Sequence, residues 1–515
     1  MNLSVGVIGS SHGWEQLLLQ EGVAFRRIEA GSDPSAFSVC VLARSPSARE
    51  REFLQEHLSG GGGVLAYAGH FAGIAGTSVL PTRIRYLHPG AGEVTFPAGL
   101  VDLDMAGAIA KEASHLRTDR NVFAVQAGPL SGGSVVLLPF DAGVAIVDTR
   151  SASRLFPTPS RRFSVERVSR VGKGEIRHLV HSALVFLHHA RSLPYVHSWH
   201  FPGEAKGIFA LRIDTDGAPR RDVDRLYEIS LEHHTPFSWF VDVKSHESWL
   251  SRFGAMEGQE IGVHCYEHRV YRTYGENYAS LQRARSLLGL VGVQARGFSA
   301  PYGIWHPVLA QAAHDVGFEY SSEFAFAYDT LPLRPPGPEI MPPPLQVPVH
   351  PICPGTLRRA GLTERHMAEY YSWVTDTKLR RGEPLFFYHH PSHRAWDVVR
   401  MVLDDAMAKG ARPTTMGEYA GWWKRRILAP PAARCVDGRV ILDAQPEAPP
   451  GLAVRIIAPG GAELMARPSC EISLGTLRGA ARQPYGPPED ARRAREFHLR
   501  PALASIHAWM VRAVG

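Results

Sequence analysis

What most restricts the fold of this chain is an alternation of short apolar runs with helix-patterned segments. It occurs once near the start and again through the middle. Leu3–Ile8 and Phe37–Leu42 are runs of strand length, Ser47–Leu58 carries helical spacing, and Val64–Tyr67 is again a strand. Strand, helix, strand in repetition is the sequence form of a parallel sheet covered by helices. The first region continues through Val135–Phe140 and a helix over Glu175–Arg191, where Ile176, Leu179, Val180 and Leu184 recur at helical spacing. Leu193-Pro194 and Phe201-Pro202-Gly203 mark a boundary, after which Gly207–Ile213 starts a second alternating region that runs to about Arg425. Leu331–Pro354 interrupts it with ten prolines and reads as an extended excursion closing on an edge strand over 345–349. Beyond Pro431 the pattern becomes hairpins with Asp-Gly and Gly-Gly turns, followed by a helix near Pro501–Val514. The expected organisation is therefore an α/β domain over 1–192, a second α/β domain over 205–425 and a small β-rich domain with a terminal helix over 432–515.

Composition narrows the class further. With 44% apolar and 21% charged residues in 515, the chain is neither disordered nor fibrous. The first charged residue is Glu15 and the first Arg is Arg26, so no basic leader is expected, and no uncharged apolar run nears the ~18 residues that cross a bilayer. A cytoplasmic location is expected. Five scattered cysteines without a C-x-x-C argue against a disulfide framework. The net charge of +6 is carried mostly by Arg, with only seven Lys, and the densest patch (Arg478, Arg482, Arg492, Arg493, Arg495, Arg500) reads as a solvated basic face. No nucleic-acid partner is expected.

Several tempting features have plain readings. The Gly60–Gly63 run lacks a Lys-Ser/Thr ending and precedes a strand, so it is a turn and not a phosphate cradle. Gly6, Gly9 and Gly13 form a tight turn without cofactor. His178, His181, His188 and His189 are expected to be without a carboxylate or Cys partner and read as packing or surface histidines.

The chemistry is concentrated in four segments at predicted strand ends, where the loops of an α/β barrel build an active site. Asp214-Thr-Asp216-Gly217 offers two carboxylates. His264-Cys-Tyr-Glu-His268 offers two imidazoles at a spacing used for zinc, without the Glu that a metallopeptidase helix needs beside its first His. With Asp216 they make a two-His, one-carboxylate set that leaves room for water. Pro301-Tyr302-Gly303 is a rigid turn able to aim a backbone N–H at an oxyanion. His389-His390-Pro391 ends a strand with candidate proton donors.

In order and spacing these segments resemble the motifs of the polysaccharide deacetylases, the NodB-homology family of carbohydrate esterase family four, over about Ala205 to Arg425. The resemblance implies a distorted (β/α) barrel and a divalent metal, Zn2+ first, held by Asp216, His264 and His268. It also implies Asp214 as base, the Tyr302 amide at the oxyanion, and a late His as acid. His390 is preferred for that role because His389 faces the opposite way along the strand. The expected activity is removal of N-acetyl groups from an amino-sugar substrate: a glycan, or a lipid- or nucleotide-linked sugar. Hydrolysis of another non-peptide C–N amide and a degenerate carbohydrate-binding module are the alternatives. Two departures stand out. The paired Asp residues are spaced by Thr215, and the family's orienting Arg is replaced by Ser299; Arg212, on the same predicted strand face as Asp214, reads equally as a substitute for it or as a solvent or core-edge Arg. Gly317–Ser322 resembles the fourth motif. The N-terminal stretch Gly60–Gly69 is similar to the one feeding the nucleophile turn of glutamine-amidotransferase-like, flavodoxin-type domains. No Cys follows it, His70 standing there instead, so that domain is expected to be catalytically silent.

Overall fold

A computed structural model of the chain describes residues 1–89, 99–338, 342–443, 445, 447–476, 492, 494 and 495. The helix expected near 501–514 and, of the basic patch, Arg478, Arg482, Arg493 and Arg500 lie outside these residues. The chain divides into two compact units: Met1–Asp148 with Val171–Glu204 and Lys424–Pro487, and Thr149–Arg170 with Ala205–Trp423 and Pro488–Gly515.

In the first unit the strands Val5–Ile8, Phe25–Arg27, Val39–Leu42, Gly63–Tyr67 and Gly133–Leu138 run parallel. The sheet then continues antiparallel through Phe123–Leu130, His115–Thr118, Val79–His88 and Val101–Ala110. Helix Ala48–Ser59 starts where expected because Ser47 and Glu50 form a capping box. Gly13 has a packing role: a Cβ there would sit 1.8 Å from the Gly143 carbonyl oxygen. Tyr195–Ser198 pairs antiparallel with Val454–Ile457, which forms a hairpin with Glu463–Ala466 across the Gly460-Gly461 turn. Ala433–Val436 and Arg439–Leu442 form the other hairpin, turning at Asp437-Gly438.

The second unit is built on one all-parallel sheet in the order Leu345–Gln346, Tyr320–Ser321, Gly297–Phe298, Glu260–Cys265, Phe237–Asp242, Gly207–Asp214, Leu385–His389. Every residue of Gly207–Asp214, Phe237–Asp242 and Leu385–His389 is buried, as parallel strands covered on both faces require. The two outer strands do not pair, so the sheet is a curled, open barrel. The gap is spanned by the His350 N–H, which donates to the Phe386 carbonyl at 2.7 Å. Helices Tyr274–Leu290 and Glu364–Arg381 are capped by Thr273 and Thr363, each accepting from the third backbone N–H of its helix. An antiparallel hairpin, Ser151–Pro157 with Phe163–Ser169, belongs to this unit although it precedes the barrel in sequence. Among the described residues no helix is long and apolar enough to cross a membrane.

Candidate metal centre

The C-terminal ends of the parallel strands converge on one group of side chains, the position at which barrel sheets carry their chemistry. Asp214 is the last residue of its strand. The strand stops there, so alternation along it does not set the direction of Asp216. A left-handed turn does: Asp216 has φ +40° and Gly217 φ +66°, with the Ala218 N–H donating to the Thr215 carbonyl. Such a backbone costs roughly 1–3 kcal/mol in a non-Gly residue and collects at functional sites. Thr215 also anchors the turn, its Oγ1 accepting from the Asp242 N–H at 2.9 Å.

His264 lies in the strand Glu260–Cys265 and His268 in the bend that follows. Their convergence comes from that bend and not from a helical face. Nε2 of His264 and of His268 lie 3.0 and 3.2 Å from Asp216 Oδ1. His390 Nε2 lies 3.2 Å from Asp216 Oδ2. The three expected ligands thus bring their donor atoms within 4.8 Å of one another.

Do they fit an ion? Asp216 Oδ1 is buried and has no hydrogen-bond partner despite the two nearby imidazoles, so its neighbours are close but not aligned as donors. His264 Nδ1–H donates to the Ser299 carbonyl at 2.7 Å, which turns Nε2 toward Asp216. A carbonyl on the far nitrogen is the usual support of a metal-binding imidazole. A lone pair facing a carboxylate oxygen at 3.0 Å is repulsive unless a proton or a cation lies between them. Two imidazole nitrogens and one carboxylate suit a zinc-class ion with open positions.

Asp214 is placed differently. Arg212, buried on the same strand face, donates from Nε to Asp214 Oδ1 at 2.9 Å and from Nη2 to Oδ2 at 2.5 Å. Its Nη1 donates to the Ser322 carbonyl at 2.6 Å and to the Ser322 hydroxyl. Arg212 therefore holds Asp214 where Ser299 offers no guanidinium to do so, and Ser322 holds Arg212. Tyr302 sits at φ +58°, is 54% exposed as a residue, and sets its ring edge-on to His268 at 4.9 Å.

His390 is flanked by more than Asp216. Burial acts to lower its pKa, but the Asp216 carboxylate and Cys353 outweigh burial and push it up to about 9, so the ring carries its proton at neutral pH. His389 is buried, with its ring edge-on to Trp396 at 6.4 Å and to His393 at 6.3 Å, and burial lowers its pKa. Cys353 Sγ lies 3.8 Å from His393 Nδ1, and the two stand with His390 as a group. Glu166, from the hairpin strand Phe163–Ser169, is pushed up to about 7 by loss of water, with Cys353, Arg359 and His390 among its charged neighbours. Sequence reasoning passed over Glu166, Cys353 and His393. The pairing of His393 with the strand-end His390, three residues apart, was the one available signal.

His178, His181, His188 and His189 have structural partners, His178 meeting the Arg177 guanidinium at 3.0 Å and His181, against expectation, a carboxylate. His181 meets Glu21, the Ser38 hydroxyl lies 2.9 Å from His188 Nε2, and His189 meets the Ile457 carbonyl. Cys40 is buried in its strand, and burial raises its thiol far above the ordinary range.

No family model matches this chain, and no curated protein matches it. Solved structures do. A Mycobacterium smegmatis protein described as a polysaccharide deacetylase matches at 18% identity, covering 46% of this chain and 95% of its own, with a TM-score of 0.39. A Pseudomonas aeruginosa PAO1 protein of the same description matches at 18% identity over 44% of this chain and 93% of its own, TM-score 0.39. Puue allantoinase matches at 16% identity over 44% of this chain and 92% of its own, TM-score 0.38. Matches this remote carry no functional weight, and the chemistry is read from the side chains.

Proposed function

We propose that this chain is a metal-dependent hydrolase that removes N-acetyl groups from an amino-sugar substrate, with Asp216, His264 and His268 as ligands of a divalent ion, Zn2+ first. One observation carries the reading: a buried carboxylate oxygen without a hydrogen-bond partner, between two imidazole nitrogens at 3.0 and 3.2 Å. Bound there, the ion supplies Lewis acidity toward water and the amide oxygen.

The chain's own residues supply the remainder. Asp214, charge-paired and oriented by Arg212, takes the proton from the attacking water at its carboxylate. The Tyr302 backbone N–H, presented by a rigid turn, donates to the oxygen on which charge develops. His390, protonated at neutral pH, returns a proton to the departing amine. Acetate and a free amino sugar are the products. The exposed Tyr302 ring at the mouth of the cluster is suited to stacking against a sugar face, which supports a carbohydrate substrate over a small cyclic amide. The amidotransferase-like region is taken as non-catalytic, because the helix Ala68–Phe71 after its fourth parallel strand carries His70 and no Cys. Metal analysis of the purified protein and an acetate-release screen over N-acetylhexosamine compounds test the proposal. A wild type that is fully active without metal overturns it.

A further inference from the structure

Cys353, His390 and His393 each bring one donor atom to within 4.8 Å of the other two, and the reaction described above uses only His390. Backbone contacts hold all three in place. Cys353 is buried at the head of the short helix Pro354–Arg359, with its N–H donating to Thr356 Oγ1 and its carbonyl accepting from the same hydroxyl. The turn His390–His393 is closed by the His393 N–H donating to the His390 carbonyl at 3.0 Å, which sets the two imidazoles 4.6 Å apart. Arg358 Nη1 pins the turn through the His393 carbonyl at 2.9 Å. His390 presents Nε2 to Asp216, and its Nδ1 is buried without a hydrogen-bond partner. A thiol and two imidazoles, half to fully buried and tied to rigid turns, form a donor set that an ordinary packing cluster does not need.

We propose that Cys353, His390 and His393 form a second cation site, distinct in chemistry from the Asp216 centre and selective for thiophilic ions of the zinc class. One sulfur and two nitrogens make a softer set than two nitrogens and an oxygen, so the two sites differ in the ions they prefer. Binding releases to water the protons held on the Cys353–His390 pair, so that the sulfur bonds the metal as thiolate and both imidazoles donate lone pairs. His390 then serves an ion through one nitrogen while the other faces Asp216. Filling the second site therefore removes His390 from proton transfer and inhibits hydrolysis, a consequence that rests on the role given to His390 above.

Cobalt titration of the full-length protein, stripped by chelator and checked for native fold by circular dichroism, tests the site. A thiolate on Co2+ gives a near-ultraviolet charge-transfer band that an Asp-His-His site cannot give. Wild type is expected to take two equivalents, one of them with the band. Cys353→Ser and, independently, His393→Ala should each lose the band and one equivalent while keeping the other. His264→Ala should keep the band and lose the other equivalent. If folded wild type shows no band, or if the band survives in Cys353→Ser, the proposal is overturned. A band with a single equivalent would leave it standing and defeat the Asp216 centre instead.

Discussion

Glu21 in one compact unit and Asp216 in the other are both carboxylates that meet histidine, and they differ in how their charge is balanced. Glu21 is fully buried and fully satisfied: Arg177 donates to Oε1 at 3.0 Å, Tyr195 donates to Oε2 at 2.9 Å, and His181 meets Oε2 at 2.7 Å. Asp216 has three imidazoles, no Arg or Lys contact within salt-bridge range among the described residues, and an oxygen to which no hydrogen bond is aligned. The difference is charge balance. A guanidinium cancels Glu21 at every accessible pH, whereas imidazoles cancel Asp216 only by taking up protons or by sharing a cation with it. The same test sorts the two aspartates, since Arg212 occupies both oxygens of Asp214 and leaves Asp216 as the candidate ligand.

The sharpest way to break this comparison is to neutralise each aspartate separately. Asp216→Asn should empty the centre and abolish turnover, because a neutral amide is a poor ligand. Asp214→Asn should keep its ion and lose about 10²–10⁴-fold in turnover, the usual cost of a missing general base. Metal content beside acetate release decides it. Metal loss in Asp214→Asn with retention in Asp216→Asn would exchange the two roles.

Glu21→Gln should do the reverse of either. It leaves Arg177 buried without its counter-charge, a change that costs about 3–5 kcal/mol in comparable pairs. Urea unfolding should show that loss, while metal content and turnover per folded molecule stay at wild-type values. A Glu21→Gln protein that folds as stably as wild type would show that the two clusters are not opposites after all.

How much of this could be read from the chain alone depends on how far apart the partners lie. Asp214, Asp216, His264, His268 and His390 each close a strand or begin its loop, and strand ends are visible as breaks in apolar runs. Arg212 was readable because two residues along a strand share a face. Cys353 was not: it stands alone at the end of a proline-rich stretch, 37 residues before His390, with no periodicity to link them. Glu166 was further out of reach, because the hairpin carrying it precedes the barrel by a whole segment of the first unit. The direction of Asp216 is not readable from alternation, since its strand ends two residues earlier and a left-handed turn aims the side chain.

An ion bound to the native state alone stabilises it by mass action, by about 2.7 kcal/mol at a free concentration 100 times Kd. Adding Zn2+ to stripped protein should therefore raise the melting temperature of wild type and of Glu21→Gln. It should do so less in Asp216→Asn, where only the Cys353 group remains to bind. An equal rise in all three would mean that the stabilising ion sits elsewhere.

Acid should expose the closed cluster. Burial alone would raise the Glu21 pKa, but the charge and hydrogen bond of His181, with Arg177, overcome it and hold the group well below the ordinary carboxylate range. A depressed folded-state pKa gives stability that is fully present above the unfolded value, about 4.3, and is lost as pH falls below it toward the folded value. Unfolding free energy measured from pH 6 to pH 3 should fall less steeply in Glu21→Gln than in wild type. Parallel slopes would remove Glu21 from the acid response.

The smallest expected effect bears on how the open cluster is supported. His264 is oriented by the Ser299 carbonyl, while the Ser299 hydroxyl is buried without a hydrogen-bond partner. If the main chain alone sets the imidazole, the side chain at 299 is dispensable to the metal, and deleting an unsatisfied buried hydroxyl should be neutral or stabilising by up to about 1 kcal/mol. Ser299→Ala should then keep its ion and turn over within about twofold of wild type, well short of the 10²-fold minimum for a lost base. A larger fall, with metal content unchanged, would show that the hydroxyl reaches the substrate or Asp214 during turnover, and that Arg212 only partly fills the role left open at that position.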